Sequence, residues 1–155
     1  MNGKIDARLK VLEIELPDAP APAANYVPFV LSGNLVFVSG QVPWVGGDRN
    51  FVGKVGVDFT IEEGQDAART VALNIIAQVK AACDGDLDRV VRCVKLGGFV
   101  NCPNDFYQHP QVINGASDLM VDIFGDAGRH SRFAVGAPAL PFNVAVEIDA
   151  VFEIQ

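Results

Sequence analysis

The chain has 155 residues, of which half are hydrophobic and a fifth are charged, so residues 1–155 fit one compact soluble domain. A domain of this size buries roughly 70% of the surface of its unfolded chain and needs no disulfides to be stable. The net charge of −7 and the pI of about 4.6 disfavour nucleic acid as a partner, because an acidic surface repels phosphates. No apolar run reaches the ~20 residues of a membrane span.

Cysteine and histidine usage gives no sign of a metal site. Cys83, Cys93 and Cys102 make an odd count without C-x-x-C spacing, which indicates small buried residues rather than a framework of disulfides or zinc. His109 and His130 form no ligand cluster of the usual spacing. We therefore expect no metal site built from these residues. The N-terminus lacks the apolar stretch of a secretory signal, which favours a cytoplasmic protein.

The first third of the chain predicts strands around a proline-rich loop. Arg8–Leu16 alternates polar and apolar residues in its second half, the pattern of a half-buried strand. Pro17–Ala24 cannot continue a ladder of backbone hydrogen bonds. Tyr26–Leu31 and Leu35–Ser39 are apolar runs around Ser32-Gly33-Asn34, which predicts a β-hairpin.

Two amphipathic helices are predicted further along. Thr60-Ile-Glu-Glu63 has the form of a capping box, and helical spacing of apolar residues continues to Asp84-Gly85. After the loop Asn104–Pro110, a second helix places apolar residues from Val112 to Phe124 on one face.

The remaining segments complete an α+β fold. Arg89–Asn101 has β character, and its Gly97-Gly98 pair indicates a bulge or a close approach by another element. The predicted order β-β-β-α-β-α-β-β favours a two-layer sandwich, a mixed sheet with two helices on one face. Phe29, Phe37 and Phe99 are expected on the outer sheet face, and such an apolar face indicates association.

Two charged residues stand in the apolar strands that close the chain. Arg132 opens one of them, and Glu147 lies in the next. They either pair across adjacent strands or bind a charged ligand, since an unpaired buried charge is costly. Asp149 and Glu153 follow Glu147 at even spacing, which favours a solvated face for all three.

The order of several motifs resembles one known family. Arg132 stands eight residues before Leu140-Pro141, and Glu147 follows the proline by six. Matching segments lie upstream: Tyr26 before the hairpin, Ser39-Gly-Gln-Val-Pro43, and Asn104-Asp-Phe106 before the helix that contains Asn114. From about Asn25 to Gln155, the chain is similar to the RidA/YjgF family, often labelled endoribonuclease L-PSP.

This resemblance implies a chorismate-mutase-like fold and a homotrimer. The sheets would pack inward, with helices outside and three clefts between subunits. The implied activity is hydrolysis of reactive enamine or imine acids, such as 2-aminoacrylate, to 2-keto acids and ammonia. No metal or organic cofactor is implied, and the partner is a small carboxylate substrate.

The resemblance also implies roles for individual residues. Arg132 would bind the substrate carboxylate, for which a planar guanidinium is suited, and Glu147 would hold the attacking water. Tyr26, Ser39 and Asn114 would line the cleft, although packing or strand-end hydrogen bonding also accounts for them. The backbone near Ala134 would complete the pocket, where typical members often have cysteine.

The chain departs from the typical family pattern near these residues. Ser117 stands where a tyrosine is common, and Gly128-Arg-His-Ser131 replaces a proline-containing segment. These departures indicate a divergent subgroup. Two alternatives to the enzyme stay open: a non-catalytic trimer that binds carboxylates or regulates, and, disfavoured by the acidic charge, an endoribonuclease.

Overall fold

The computed structural model describes residues 3–22 and 24–155 of the chain. These residues form three α-helices and five strands. The helices are α1 (Lys4–Val11), α2 (Ile61–Ala82) and α3 (His109–Phe124), and the strands are β1 (Phe29–Ser32), β2 (Leu35–Gln41), β3 (Val90–Asn101), β4 (Ser131–Ala137) and β5 (Val146–Ile154). The predicted α+β class is confirmed, with one helix more and one strand fewer than expected.

The five strands form one mixed sheet in the order β1-β2-β5-β3-β4. The predicted hairpin is present, because β1 and β2 pair antiparallel with Ser32 opposite Leu35. Strand β5 lies between β2 and β3, and β4 pairs parallel with the far side of β3. A parallel neighbour needs a long crossover, and α3 supplies it. Helices α2 and α3 cover one face of the sheet, and the core lies between the two layers.

Helix α2 begins as predicted. The Thr60 hydroxyl accepts a hydrogen bond from the backbone N–H of Glu63, and the Glu63 carboxylate accepts one from the N–H of Thr60. This reciprocal cap satisfies two backbone donors that a helix end leaves free. Apolar residues from Ala67 to Ala82 then face the sheet and are buried.

The predicted strand Arg8–Leu16 is wrong. Ile5, Leu9 and Leu12 have helical spacing, and they pack against the core from α1 and its end. The Asp88 carboxylate caps α1 by accepting hydrogen bonds from the backbone N–H groups of Lys4 and Ile5, both at 2.8 Å. Residues 12–16 do alternate between partly buried and exposed, but they pair with no strand of the sheet.

The predicted loop Pro17–Ala24 contains no helix or strand over its described residues, and Ala23 lies outside them. The segment 17–22 lies along one end of the sheet and forms part of a cavity wall.

The predicted outer face of the sheet is correct for Phe37 and Phe99 and wrong for Phe29. Phe37 and Phe99 are exposed on the open face, together with Val30, Phe133 and Val135. Phe29 is instead partly buried and packs on the core, because it pairs with the buried Val38 and so shares its face.

The paired glycines of β3 mark close approaches on both faces rather than a bulge. A Cβ on Gly98 would lie 2.8 Å from the Cδ1 of Ile113 in α3. A Cβ on Gly97 would collide with the Asp149 carboxylate and the Phe133 ring on the open face. The irregularities in the pairing of β3 with β5 lie nearer the start of β3.

None of the helices in the described part of the chain is long and apolar enough to cross a membrane.

Candidate functional site

Arg132 and Glu147 do not pair within one chain. Strand β3 separates their strands, so Arg132 lies opposite Leu96 and Glu147 lies opposite Phe99. Leu96 faces the helices, whereas Phe99 is on the open face, and side chains in register share a face. The cross-strand ion pair considered from sequence is therefore wrong. The two charged groups point to opposite sides of the sheet.

Arg132 lies against the first half of α3. Its Nη1 donates a hydrogen bond to the Ser117 hydroxyl at 3.0 Å, and its Nη2 donates one to the Pro110 carbonyl at 3.2 Å. These contacts hold the guanidinium in one orientation. A guanidinium has further N–H donors in the same plane, so the group retains the capacity to bind a carboxylate.

Asn114 lies on the helix face that meets Arg132. Pro110, Asn114 and Ser117 are spaced by four and three residues, so they share one face of α3. Ala134 follows Arg132 on the same side of β4, opposite Gly98. Both Asn114 and Ala134 are partly buried. Three of the predicted site residues thus belong to one region, which we call the arginine site: Arg132, Asn114 and Ala134, with Ser117.

The arginine site also contains His130, which is not among the six residues predicted from sequence. His130 Nδ1 lies 2.6 Å from the Gly128 carbonyl, and its Nε2 lies 2.9 Å from the Ser117 hydroxyl. Because a carbonyl only accepts, Nδ1 carries the proton and the unprotonated Nε2 accepts from Ser117. Burial lowers the pKa of His130 and the nearby Arg132 charge adds to this, against the opposing effect of the hydrogen bond to Gly128, so the neutral ring is favoured.

One signal for this contact was present in the sequence. Ser117 and His130 both lie in segments that depart from the typical family pattern, and the structure shows that these two departures touch. They are 13 residues apart in the chain, a separation at which no local spacing rule connects two side chains.

Glu147 and Tyr26 belong to a second region at the end of the sheet. Both line a cavity of about 530 Å³. Gly40 of the Ser39-Gly40-Gln41 motif leaves room for the Glu147 side chain, since a Cβ there would lie 3.2 Å from the Glu147 Cδ. Burial, and then repulsion by Asp149, raise the pKa of Glu147.

The cavity walls come from three loops. The segment Pro17–Pro22 forms one wall, and Val42–Gly47 with Pro141-Phe142 forms the others. Trp44 and Phe142 lie with ring centroids 5.1 Å apart. Phe142 has a φ of 56°, a left-handed backbone conformation that a bulky residue adopts only when its surroundings impose it. We call this space the glutamate cavity.

Ser39 lines neither region. Its hydroxyl donates a hydrogen bond to the Val27 carbonyl at 2.8 Å and so fixes the segment that carries Tyr26. The six residues predicted for the site therefore fall into two regions. The arginine site has Arg132, Asn114 and Ala134, and the glutamate cavity has Tyr26 and Glu147. Ser39 lies in neither, and it contacts the backbone next to Tyr26.

No group of three or more His, Cys, Asp or Glu side chains suited to a metal ion is found among residues 3–22 and 24–155. The three cysteines are free and buried, and burial raises the pKa of Cys93 to about 12. A thiol of that pKa is inert as a nucleophile at neutral pH.

Comparison with known proteins places this architecture among named relatives. The model of a family described as YjgF/chorismate mutase-like, putative endoribonuclease, matches residues 6–153. Protein TCP17 of Trypanosoma cruzi is 50% identical over 155 residues, covering 99% of this chain and 96% of its own. A 2-iminobutanoate/2-iminopropanoate deaminase of Dermatophagoides farinae is 28% identical over 143 residues, covering 92% and 95%.

A solved structure shows the same fold. The crystal structure of Atu1372 from Agrobacterium tumefaciens, a protein of unknown function, aligns with a TM-score of 0.91 at 50% identity. The alignment covers 97% of this chain and 92% of that one.

Proposed function

Since this chain belongs to the YjgF/chorismate mutase-like family, we propose that it hydrolyses enamine or imine acids to 2-keto acids and ammonia. The named activity of the Dermatophagoides farinae relative supports this reaction class. The protein would act in the cytoplasm as a scavenger of reactive intermediates that leak from pyridoxal-phosphate enzymes.

The observation that carries the proposal is that the chain presents both an oriented arginine, Arg132, and a half-buried glutamate, Glu147. Arg132 is oriented by Ser117 and Pro110 and keeps donors for a carboxylate. The side chain of Glu147 makes no hydrogen bond or ion pair with the described residues of the chain, although burial makes its charged form costly. An imine carbon is already electrophilic, so a carboxylate that positions water is sufficient for its hydrolysis.

The two groups act on one substrate only if two copies of the chain build the site. Within one chain they lie on opposite sheet faces, as their register partners show. We propose a homotrimer in which Arg132 of one subunit reaches the glutamate cavity of the next. The exposed apolar residues of the open face favour such association.

The test is ammonia release from 2-aminoacrylate generated in situ. We expect release by the wild-type protein and a loss of at least about a hundredfold in kcat/KM for Arg132→Ala, because a charged carboxylate contact is removed. Arg129→Ala is the matched control, since Arg129 is exposed and pairs only with Asp126 among the described residues. Activity should survive in this variant.

The alternatives predict other outcomes. If the protein binds carboxylates but releases no ammonia from any imine acid, the result would favour the non-catalytic binding protein. If RNA cleavage persists after the protein is purified again, and if it requires Arg132, the result would favour the endoribonuclease of the family description. The net charge of −7 opposes that reaction.

A further inference from the structure

We infer that the glutamate cavity receives the side chain of the substrate, and that the preferred imine acids carry large apolar side chains of the leucine or phenylalanine type. This inference rests on the proposed function and specifies its substrate class. It follows from the size, the lining and the built walls of the cavity.

The cavity is far larger than the smallest imine acids require. Its volume of about 530 Å³ falls in the range of roughly 300–1,000 Å³ found for sites of drug-sized ligands. The imine of alanine carries only a methyl group beyond its reacting carbon, which would leave most of this space to water. A branched or aromatic side chain would displace that water from apolar walls, which is favourable.

Much of the lining is apolar or aromatic. Proline rings, Trp44 and Phe142 form the walls, and the charged residues that line it, Asp18 and Glu147, are both acidic. A second carboxylate is therefore disfavoured inside. The Arg49 guanidinium lies 4.9 Å from the Trp44 ring centroid and 6.0 Å from that of Phe142, so one cation already contacts these rings in the free protein.

Two buried polar side chains of α2 hold the cavity walls in place. Asn74, 1% exposed, donates hydrogen bonds to the carbonyls of Val42 and Trp44, both at 2.9 Å. Gln78, also 1% exposed, donates one to the Pro20 carbonyl at 2.6 Å. A buried amide N–H is costly unless it is bonded, and the N–H groups of both side chains bond to the loops around the cavity. The cavity is thus pre-formed, as a specificity site requires.

A binding experiment tests the cavity directly. Trp44 is the only tryptophan of the chain, so its fluorescence reports on this space. We expect 4-methyl-2-oxopentanoate to change Trp44 emission with a Kd at least about tenfold below that of pyruvate, since each buried methylene contributes about 0.8 kcal/mol. Equal affinities, or tighter binding of 5-guanidino-2-oxopentanoate, would overturn the inference.

A kinetic experiment tests the preference for large apolar side chains during turnover. Imine acids are generated from leucine, phenylalanine and alanine by an amino-acid oxidase, and ammonia release beyond the oxidase background is measured. We expect the larger imines to have the higher kcat/KM. Ala21→Phe, which fills space at the cavity wall, should lower the leucine-to-alanine ratio about tenfold. Ala81→Phe at an exposed position of α2 should leave the ratio unchanged.

The two hypotheses fail in different ways. Turnover with no preference for larger imines, or an unchanged ratio in a folded Ala21→Phe protein, would overturn the side-chain site and leave the deaminase standing. No turnover of any imine, together with tighter binding of 4-methyl-2-oxopentanoate, would overturn the deaminase and keep the cavity as a site for large apolar acids.

Discussion

Glu147 and its neighbours Asp149 and Glu153 show how three acidic residues on one face of one strand come to differ. All three occupy alternate positions of β5 and point to the open face. Glu153 accepts a hydrogen bond from the Asn34 amide at 3.0 Å and Asp149 is exposed. Only Glu147 lies in a cavity, where burial raises its pKa. The even spacing is real, but it does not make the three environments alike.

The raised pKa of Glu147 predicts the acid limb of the pH profile. If the carboxylate positions water, activity falls as pH drops through this pKa, which lies above the ordinary value of 4.5. Asp149→Asn removes the repelling charge, lowers the pKa and moves the acid limb to lower pH. Glu153→Gln makes a similar charge change farther along β5 and should leave the limb in place. A profile of kcat against pH for the three proteins checks this, and a limb unmoved by Asp149→Asn would refute it.

Ser117 is predicted to be a positioning residue for Arg132. Ser117→Ala removes the hydroxyl that accepts from Nη1, so the guanidinium loses one orienting contact worth about 1 kcal/mol. We expect KM for imine acids to rise about fivefold, with little change in kcat. Ser131→Ala, which removes a hydroxyl bonded to the Val94 carbonyl of the adjacent strand, is the control. A fall in kcat with unchanged KM would contradict the positioning role.

At the scale of elements, the features that were predictable are the ones that depend on neighbours in sequence. The capping box of α2 involves residues three apart, and the hairpin needs only Ser32-Gly33-Asn34 between two apolar runs. Helix α1 was missed because its cap is Asp88, 84 residues from Lys4 in the chain. Its eight residues are too few to form a stable helix in water without such contacts.

The cap of α1 predicts a local unfolding. Asp88→Ala removes the acceptor for two backbone N–H groups, so the amides of α1 should exchange hydrogen faster while those of α2 stay protected. The pKa of Asp88 is lowered, chiefly by the N–H of Ile5 and then of Lys4. The cap therefore stabilises α1 fully above the unfolded pKa and is lost as pH falls through the lowered one.

Asp118→Ala is the matched control for this prediction, since Asp118 is exposed on α3. Equal exchange of α1 amides in both variants, measured at one pH by mass spectrometry, would show that the Asp88 cap does not hold the helix.

At the scale of the whole molecule, the sheet order explains why the site could not be assembled from sequence. Resemblance identified Arg132 and Glu147, but no pattern shows that β3 lies between their strands or that their faces differ. The apolar face was predictable from Phe37 and Phe99, because strand residues alternate. Phe29 was misassigned since its face depends on its register with Val38.

The central claim is that Arg132 and Glu147 of different subunits share one site, and mixing two inactive variants tests it most directly. Arg132→Ala and Glu147→Gln proteins are unfolded together in equal amounts, refolded and assayed for ammonia release. In a closed trimer of randomly mixed subunits, about a quarter of all sites would combine an intact arginine with an intact glutamate.

We therefore predict recovery of about a quarter of wild-type activity in the mixture, where each variant refolded alone is inactive. Each mixture is compared with wild-type protein refolded in the same way, and light scattering confirms that the subunits have assembled. Mixed assemblies that stay as inactive as either variant alone would contradict a site built from two copies of this chain.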